Sequence, residues 1–357
     1  MMIQVNAWVG DSGLTADTFV LKNHAAIRPE EVSLTVQVGF VEKKEINIPI
    51  LSVQRQENAL YIQTEPFCPA NEFRLTGTGS ASDISVQKSN ATLHIQDEAL
   101  FEKKEENDVL YRLYSPAAAE ARPLILFLHG GGECGADNLT QLTGTLGAIH
   151  LAKCYPEMYV MAPQAPRGML NSGKPMPNMN QMRFATSDTP GMEGWSRALL
   201  GRVCDLIRQM IAAGKVNPKR VYVIGMSMGG GGTLRALSVG ADLFAAGAPI
   251  CPTMTPDTYR ILCGLTHTKL WISTAYIDHT LYRHKYIVDG IMALKDAGNR
   301  DAHLTLYSPE ELEAYGLATD PEMPLAAKFG ANHASWILTL HNEHGILSWL
   351  TEQVRED

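Results

Sequence analysis

Absences narrow the function of this 357-residue chain before any motif is read. No run of about 18 apolar residues occurs, the length needed for a helix to cross a bilayer. The opening MMIQVNAWVGDSG lacks a basic stretch followed by a long apolar one, so a soluble, cytoplasmic protein without a membrane partner is expected. Basic clusters are missing as well. With a formal charge of -8, the chain has nothing to offset phosphate charge, and a nucleic-acid partner is not expected. Cys68, Cys134, Cys154, Cys204, Cys251 and Cys263 are scattered without C-x-x-C spacing or a nearby histidine pair, which argues against a zinc site and a dense disulfide framework and leaves mostly buried thiols. Phosphate-binding G-x-x-x-x-G-K-[ST] is absent, and G-x-G-x-x-G does not fit the glycines present. No internal repeat or low-complexity segment is visible.

What remains has the makeup of an ordinary soluble globular protein, 45% hydrophobic and 19% charged, long enough for two domains. Residues 1–105 alternate apolar and polar residues in short bursts, such as VSLTVQV at 32–38, ALYIQ at 59–63 and ATLHIQ at 91–96, separated by turn-formers such as TGTGSASD at 76–83. That rhythm predicts a small all-β sandwich of immunoglobulin-like type, without the Cys-Trp-Cys signature of an antibody domain. The charged run EKKEEND at 102–108 is expected to be a solvated connector or turn.

From 106 to 357 the rhythm changes. Apolar strand candidates at 124–128, 159–162, 221–224, 246–250, 270–274 and 304–307 alternate with helical patterns at 195–213, 233–239, 287–297 and 344–354. Strands alternating with helices predict an α/β domain with a doubly wound, mostly parallel sheet.

Within it, VYVIGMSMGGGGTLRAL at 221–237 runs from a buried strand through Gly225-Met226-Ser227-Met228-Gly229 into a helix. Glycines two residues before and after a serine allow a strand-to-helix turn too sharp for side chains, the nucleophile elbow. A serine hydroxyl needs a base to take its proton and fixed donors for the anion formed at a carbonyl. For the donors, LILFLHGGGECG at 124–135 ends a strand in His129-Gly130-Gly131-Gly132, so the N–H groups of Gly131, Gly132 and Met228 are the expected oxyanion hole. The acid should follow the serine and precede the histidine. Asp278 lies just past the strand KLWISTA, at the edge where open α/β sheets bind ligands; Asp289, Asp296 and Asp301 fall in or after the next helix. Of the eleven histidines, His333 in the loop NHASW is the expected base. His279 adjoins the acid, and His341 and His344 suit surface or capping roles.

The set LFLHGGGECGADN, APQAP, VYVIGMSMGGGGT, the Asp278–Gly298 run ending LKDAG, and NHASW followed by LSWL resembles the carboxylesterase and "predicted peptidase" branch of the α/β-hydrolases over about residues 108–352. The front sandwich resembles the immunoglobulin-like domain of EstA-type esterases in that branch. The resemblance implies a Ser227, Asp278, His333 triad, in agreement with the residues taken alone. Two features depart from the family pattern. Ala275-Tyr276-Ile277 precedes the acid where an H-G-x-D-like approach is common, and a long segment at 309–332 stands where many relatives have a short loop.

The Met-, Pro- and Asn-rich stretch at 167–194 and the 309–332 segment are candidate covers for the substrate pocket, with Trp195, Tyr276 and Trp336 as candidate walls. The expected function is serine carboxylic-ester hydrolysis of a small-molecule ester through an acyl-enzyme, with no metal or organic cofactor; homo-oligomerisation stays open. The alternatives are a serine peptidase of prolyl-oligopeptidase type and, from another class, a binding protein whose hydrolase domain is vestigial.

Overall fold

The computed structural model describes residues 3–39, 43–117, 120–167, 194–278, 283–317 and 332–356. Its backbone contacts divide the chain into two compact units, Met1–Leu100 together with Thr143–Leu146, and Phe101–Leu142 together with Gly147–Asp357. Among the described residues, no helix is long and apolar enough to cross a membrane.

The first unit is a β-sandwich. Its strands are β1 (Ile3–Gly10), β2 (Gly13–Lys22), β3 (Val32–Val38), β4 (Lys44–Ile48), β5 (Ile50–Gln56), β6 (Ala59–Phe67), β7 (Phe73–Gly77), β8 (Ser85–Gln87) and β9 (Thr92–Ile95). They form sheets of order β5-β6-β2-β1-β9 and β4-β3-β7-β8, antiparallel except where β1 meets β9. The sequence alternation becomes an inside face and an outside face: Val32, Leu34 and Val36 are buried on β3, as a period of two residues requires. Phe19 stacks on Phe67 at 5.6 Å within one sheet. Phe73 of the other sheet meets them edge-on at 5.7 and 5.6 Å, which joins the two layers through a geometry that aromatic quadrupoles favour.

The second unit is the expected α/β architecture. Its strands are β10 (Phe101–Glu106), β11 (Val109–Tyr114), β12 (Arg122–Leu128), β13 (Tyr159–Pro163), β14 (Val216–Met226), β15 (Ala246–Ile250), β16 (Leu270–Ala275) and β17 (Ala302–Tyr307). They form one sheet of order β10-β11-β13-β12-β14-β15-β16-β17. From β13 through β17 every pair is parallel, and β10 and β11 form an antiparallel edge. Helices α1 (Ala148–Cys154), α2 (Arg197–Ala212), α3 (Met228–Val239), α4 (Pro256–Gly264), α5 (Arg283–Asp296), α6 (Pro309–Ala314), α7 (Trp336–Leu340) and α8 (Ile346–Glu352) accompany it. The central strands are buried almost throughout, as a sheet covered on both faces demands.

One expectation is corrected. The charged run at 102–108 is no connector: through Glu106 it is strand β10, paired with β11 in the register Glu102↔Leu113, Lys104↔Tyr111 and Glu106↔Val109. Phe101 at its head is buried, and Asn107 and Asp108 both take positive φ, 52° and 55°, as a two-residue hairpin turn matched to strand twist requires. Charge along an exposed edge is a means of discouraging edge-to-edge association. None of the six cysteines is in a disulfide, but Cys68 and Cys154 are exposed rather than buried.

Phe19→Ala should cost about 3–5 kcal/mol, because the ring is fully buried between two others and truncation leaves a cavity. The measurement is the urea midpoint followed by circular dichroism; a loss under about 1 kcal/mol would show that the aromatic trio does not hold the sandwich.

Candidate active site

Strand β14 turns into α3 at Ser227, whose backbone is forced into φ 57°, ψ -115°, a region that costs a non-glycine residue about 1–3 kcal/mol. The turn closes because two neighbours have no side chain. A β-carbon on Gly225 would lie 2.5 Å from the Gly229 carbonyl oxygen, and one on Gly229 would lie 1.9 Å from that of Leu128. The end of β15 clamps the elbow from the other side. Ser227 N–H donates to the Ile250 carbonyl at 2.9 Å, and its own carbonyl accepts from Thr253 N–H at 2.8 Å. Cys251, within that clamp, also takes positive φ, 34°.

Asp278 follows β16, and His333 lies between β17 and α7. Although 106 and 55 residues separate them from their partners in sequence, His333 Nε2 is 2.8 Å from Ser227 Oγ and His333 Nδ1 is 2.7 Å from Asp278 Oδ2. With Asp278 ionised, Nδ1–H donates to the carboxylate, which leaves Nε2 free to accept the serine proton. Asp278 and His333 are buried, so the pair is shielded from water that would weaken it. A chain of buried hydroxyls ties the helix that follows the histidine to the strand that precedes the acid: Thr339 Oγ1 on α7 lies 2.8 Å from Ser273 Oγ on β16 and 3.0 Å from Tyr307 Oη on β17. The other histidines weighed from sequence lie elsewhere. His341 and His344 are exposed, and His344 Nε2 is 2.6 Å from Glu311 Oε1. His279 lies outside the described residues, as do 168–193 and 318–331, the greater part of the two candidate covers.

The loop after β12 lies against the serine. A β-carbon on Gly130 would stand 3.7 Å from Ser227 Cβ, and Gly131 and Gly132 follow on a single 3-10 turn, Gly131–Glu133. Around Gly132 the space where a β-carbon would point is open to 4 Å. Met228 is the first residue of α3, where backbone N–H groups have no intrahelical partner and the helix dipole favours an anion.

His129 fastens this loop, a role sequence reasoning did not assign. Its Nδ1–H donates to the Gly130 carbonyl at 2.6 Å, and Nε2 accepts from Ala165 N–H at 2.9 Å. Complete burial lowers its pKa from 6.5 to about 4, so the ring is neutral at pH 7. Gln164 adds a second fastening, accepting from Asn138 N–H at 2.7 Å and donating to the Glu133 carbonyl at 3.1 Å. The APQAP motif contained the signal, an amide beside a buried strand end.

Of the three candidate pocket walls, Trp195 is corrected. It is 2% exposed, its indole N–H donates to the His129 carbonyl at 2.9 Å, and a β-carbon on Gly232 would lie 2.7 Å from its Cγ. Its surface is spent on the core and on the loop after β12. Tyr276 is 55% exposed and meets His284 edge-on at 5.2 Å. Trp336 is half-buried and stands edge-on to the His333 ring at 5.5 Å. Behind the elbow, Asp257 on α4 pairs with Arg197 of α2 at 3.1 Å and with Arg235 of α3 at 3.4 Å, fastening three helices together.

No protein-family model matches this chain, and no curated protein matches it in sequence. Among solved structures it is similar to a thermostable esterase, with a TM-score of 0.68 at 19% identity over 99% of this chain and 100% of that one. Looser matches include an S-formylglutathione hydrolase from Agrobacterium tumefaciens, TM-score 0.43 at 14% identity over 71% of this chain and 94% of that one. An arylesterase matches with TM-score 0.41 at 13% identity over 58% of this chain and 75% of that one. The first match shows the fold alone, one of α/β-hydrolase type; the other two are too loose to add to it.

Gly229→Ala should destabilise the fold, since its methyl cannot coexist with the Leu128 carbonyl, whereas Gly132→Ala should fold normally; urea midpoints of both variants followed by circular dichroism check the contrast, and a Gly229→Ala protein as stable as the parent refutes it. A second expectation concerns pH. The unfolded chain protonates His129 near 6.5 and the folded chain only near 4, so this residue's contribution is full above about pH 6.5 and is lost as pH falls toward 4, by on the order of 3 kcal/mol. Urea midpoints at pH 7 and 4.5 should therefore differ less in His129→Gln than in the parent; equal differences would refute the assignment.

Proposed function

We propose that the protein is a serine carboxylic-ester hydrolase. The observation that carries this reading is the unbroken hydrogen-bond line from Asp278 through His333 to Ser227, 2.7 and 2.8 Å, ending on a serine held in a strained elbow. On this reading Ser227 Oγ attacks the ester carbonyl as His333 Nε2 takes its proton. Asp278 holds the imidazole in the required tautomer and stabilises its cation. The N–H groups of Gly131, Gly132 and Met228 hold the oxyanion. Collapse of the tetrahedral species expels the alcohol, which receives the proton from His333, and water releases the acid by the same steps in reverse roles. The chemistry requires no cofactor. Tyr276 and Trp336 border the substrate, and the first unit, read as immunoglobulin-like, supplies no reacting group.

A fluorophosphonate should label Ser227 covalently. Ser227→Ala and His333→Ala should each lose about 10³-fold or more in kcat while folded, because the triad acts as a unit; His341→Ala and His344→Ala should stay within about tenfold. Turnover of p-nitrophenyl acetate by the four variants, with circular dichroism as the folding control, is the measurement. A folded Ser227→Ala protein with undiminished turnover eliminates the mechanism.

A further inference from the structure

The serine lies between two methionines, and the structure treats them differently. From Val221 to Gly230 every residue is buried except Ser227 and Met228. Met226 is 1% exposed, whereas Met228, the next residue after the serine, is only partly buried. Its thioether sits where three segments of the site converge. Met228 Sδ lies 3.8 Å from Cys134 Sγ, at the end of the glycine turn after β12. A β-carbon on Gly194 would lie 2.9 Å from the same sulfur, so the backbone next to Trp195, which holds the His129 carbonyl, leaves no room for another heavy atom on that side. Gly194 itself has φ 116°.

We propose that Met228 Sδ is an oxidative modification site through which peroxide shuts down the hydrolytic centre; the inference rests on the ester-hydrolase reading above. The sulfur lone pair attacks one oxygen of hydrogen peroxide, the O–O bond breaks, an S–O bond forms and water leaves, so the sulfur is oxidised by two electrons and the peroxide reduced. The new S–O dipole is polar and stands among Cys134, Gly194 and the apolar core packed against Met228, surroundings chosen for an apolar side chain. Relief requires the side chain to swing out. Because the N–H of the same residue is the oxyanion donor contributed by the elbow, the movement is passed directly to that donor. The modification is reversible in principle, since methionine sulfoxide is a substrate for reductases.

The experiment uses the full chain, treated with graded hydrogen peroxide and then probed with a fluorophosphonate, with peptide mass spectrometry locating each added oxygen. Untreated protein labelled at Ser227 establishes the underlying reading; untreated protein that takes no label overturns that reading and the inference with it. Given labelling, the expected result is that the labelling rate falls at least about tenfold in step with one oxygen gained on Met228, as loss of an oxyanion donor implies, and returns on treatment with methionine sulfoxide reductase. Met228→Leu should keep most of its own untreated rate under peroxide. Met292→Leu, which alters a methionine 57% exposed and remote in sequence, should give no protection. The proposal is overturned if Met228 resists oxidation, if Met228 sulfoxide forms without loss of labelling, or if Cys134→Ser protects and the reductase does not restore the rate.

Discussion

The carbonyl oxygen of Leu128 stands 1.9 Å from the point where a β-carbon on Gly229 would lie, and the rest of the site is built around that contact. Because no side chain intervenes, α3 begins directly against the loop after β12. The chain must then reverse at Ser227 with positive φ, a conformation an L-residue adopts only when its surroundings impose it. The clamp from Ile250 and Thr253 and the packing of α3 impose it here. The consequence is chemical: the serine hydroxyl stands above the strand ends, next to free helix N–H groups, where a histidine from a distant loop can reach it.

Several of the surrounding polar groups are buried and hydrogen-bonded, which fixes their geometry. His129 uses both ring nitrogens and its carbonyl to join the ends of β12 and β13 and Trp195. Burial keeps that ring uncharged over the range in which a catalytic histidine works, so it contributes shape without competing for protons. Gln164, the trio of hydroxyls on Ser273, Thr339 and Tyr307, and the Asp257 ion pairs do comparable work at other joints. Satisfied networks of this kind favour a single arrangement, because a partly broken one leaves costly unpaired groups in a medium of low dielectric.

The alternation at 32–38 and the apolar runs at 124–128 and 246–250 were sufficient to place strands, since periodicity reports which faces are buried. Other features were hidden. Strand β10 was obscured by its charges, because an edge strand exposes much of what it carries; its one buried anchor, Phe101, lay just outside the charged run. Trp195, a candidate pocket wall, is a core residue, and composition cannot distinguish a tryptophan facing a ligand from one facing a carbonyl 66 residues away.

By itself the sequence determined the elbow and the order serine, acid, histidine, because steric exclusion at Gly225 and Gly229 acts within a few residues and chain order follows from fold topology. It also narrowed the candidates for acid and base to a few aspartates and histidines. Only the tertiary structure decided that Ser227, His333 and Asp278 stand within hydrogen-bonding distance, that His129 is a neutral fastening, and that Met228 is partly exposed where Met226 is buried. Those properties arise from distances between segments 55 to 106 residues apart and from the burial that packing creates, and neither is encoded in any local pattern of the chain.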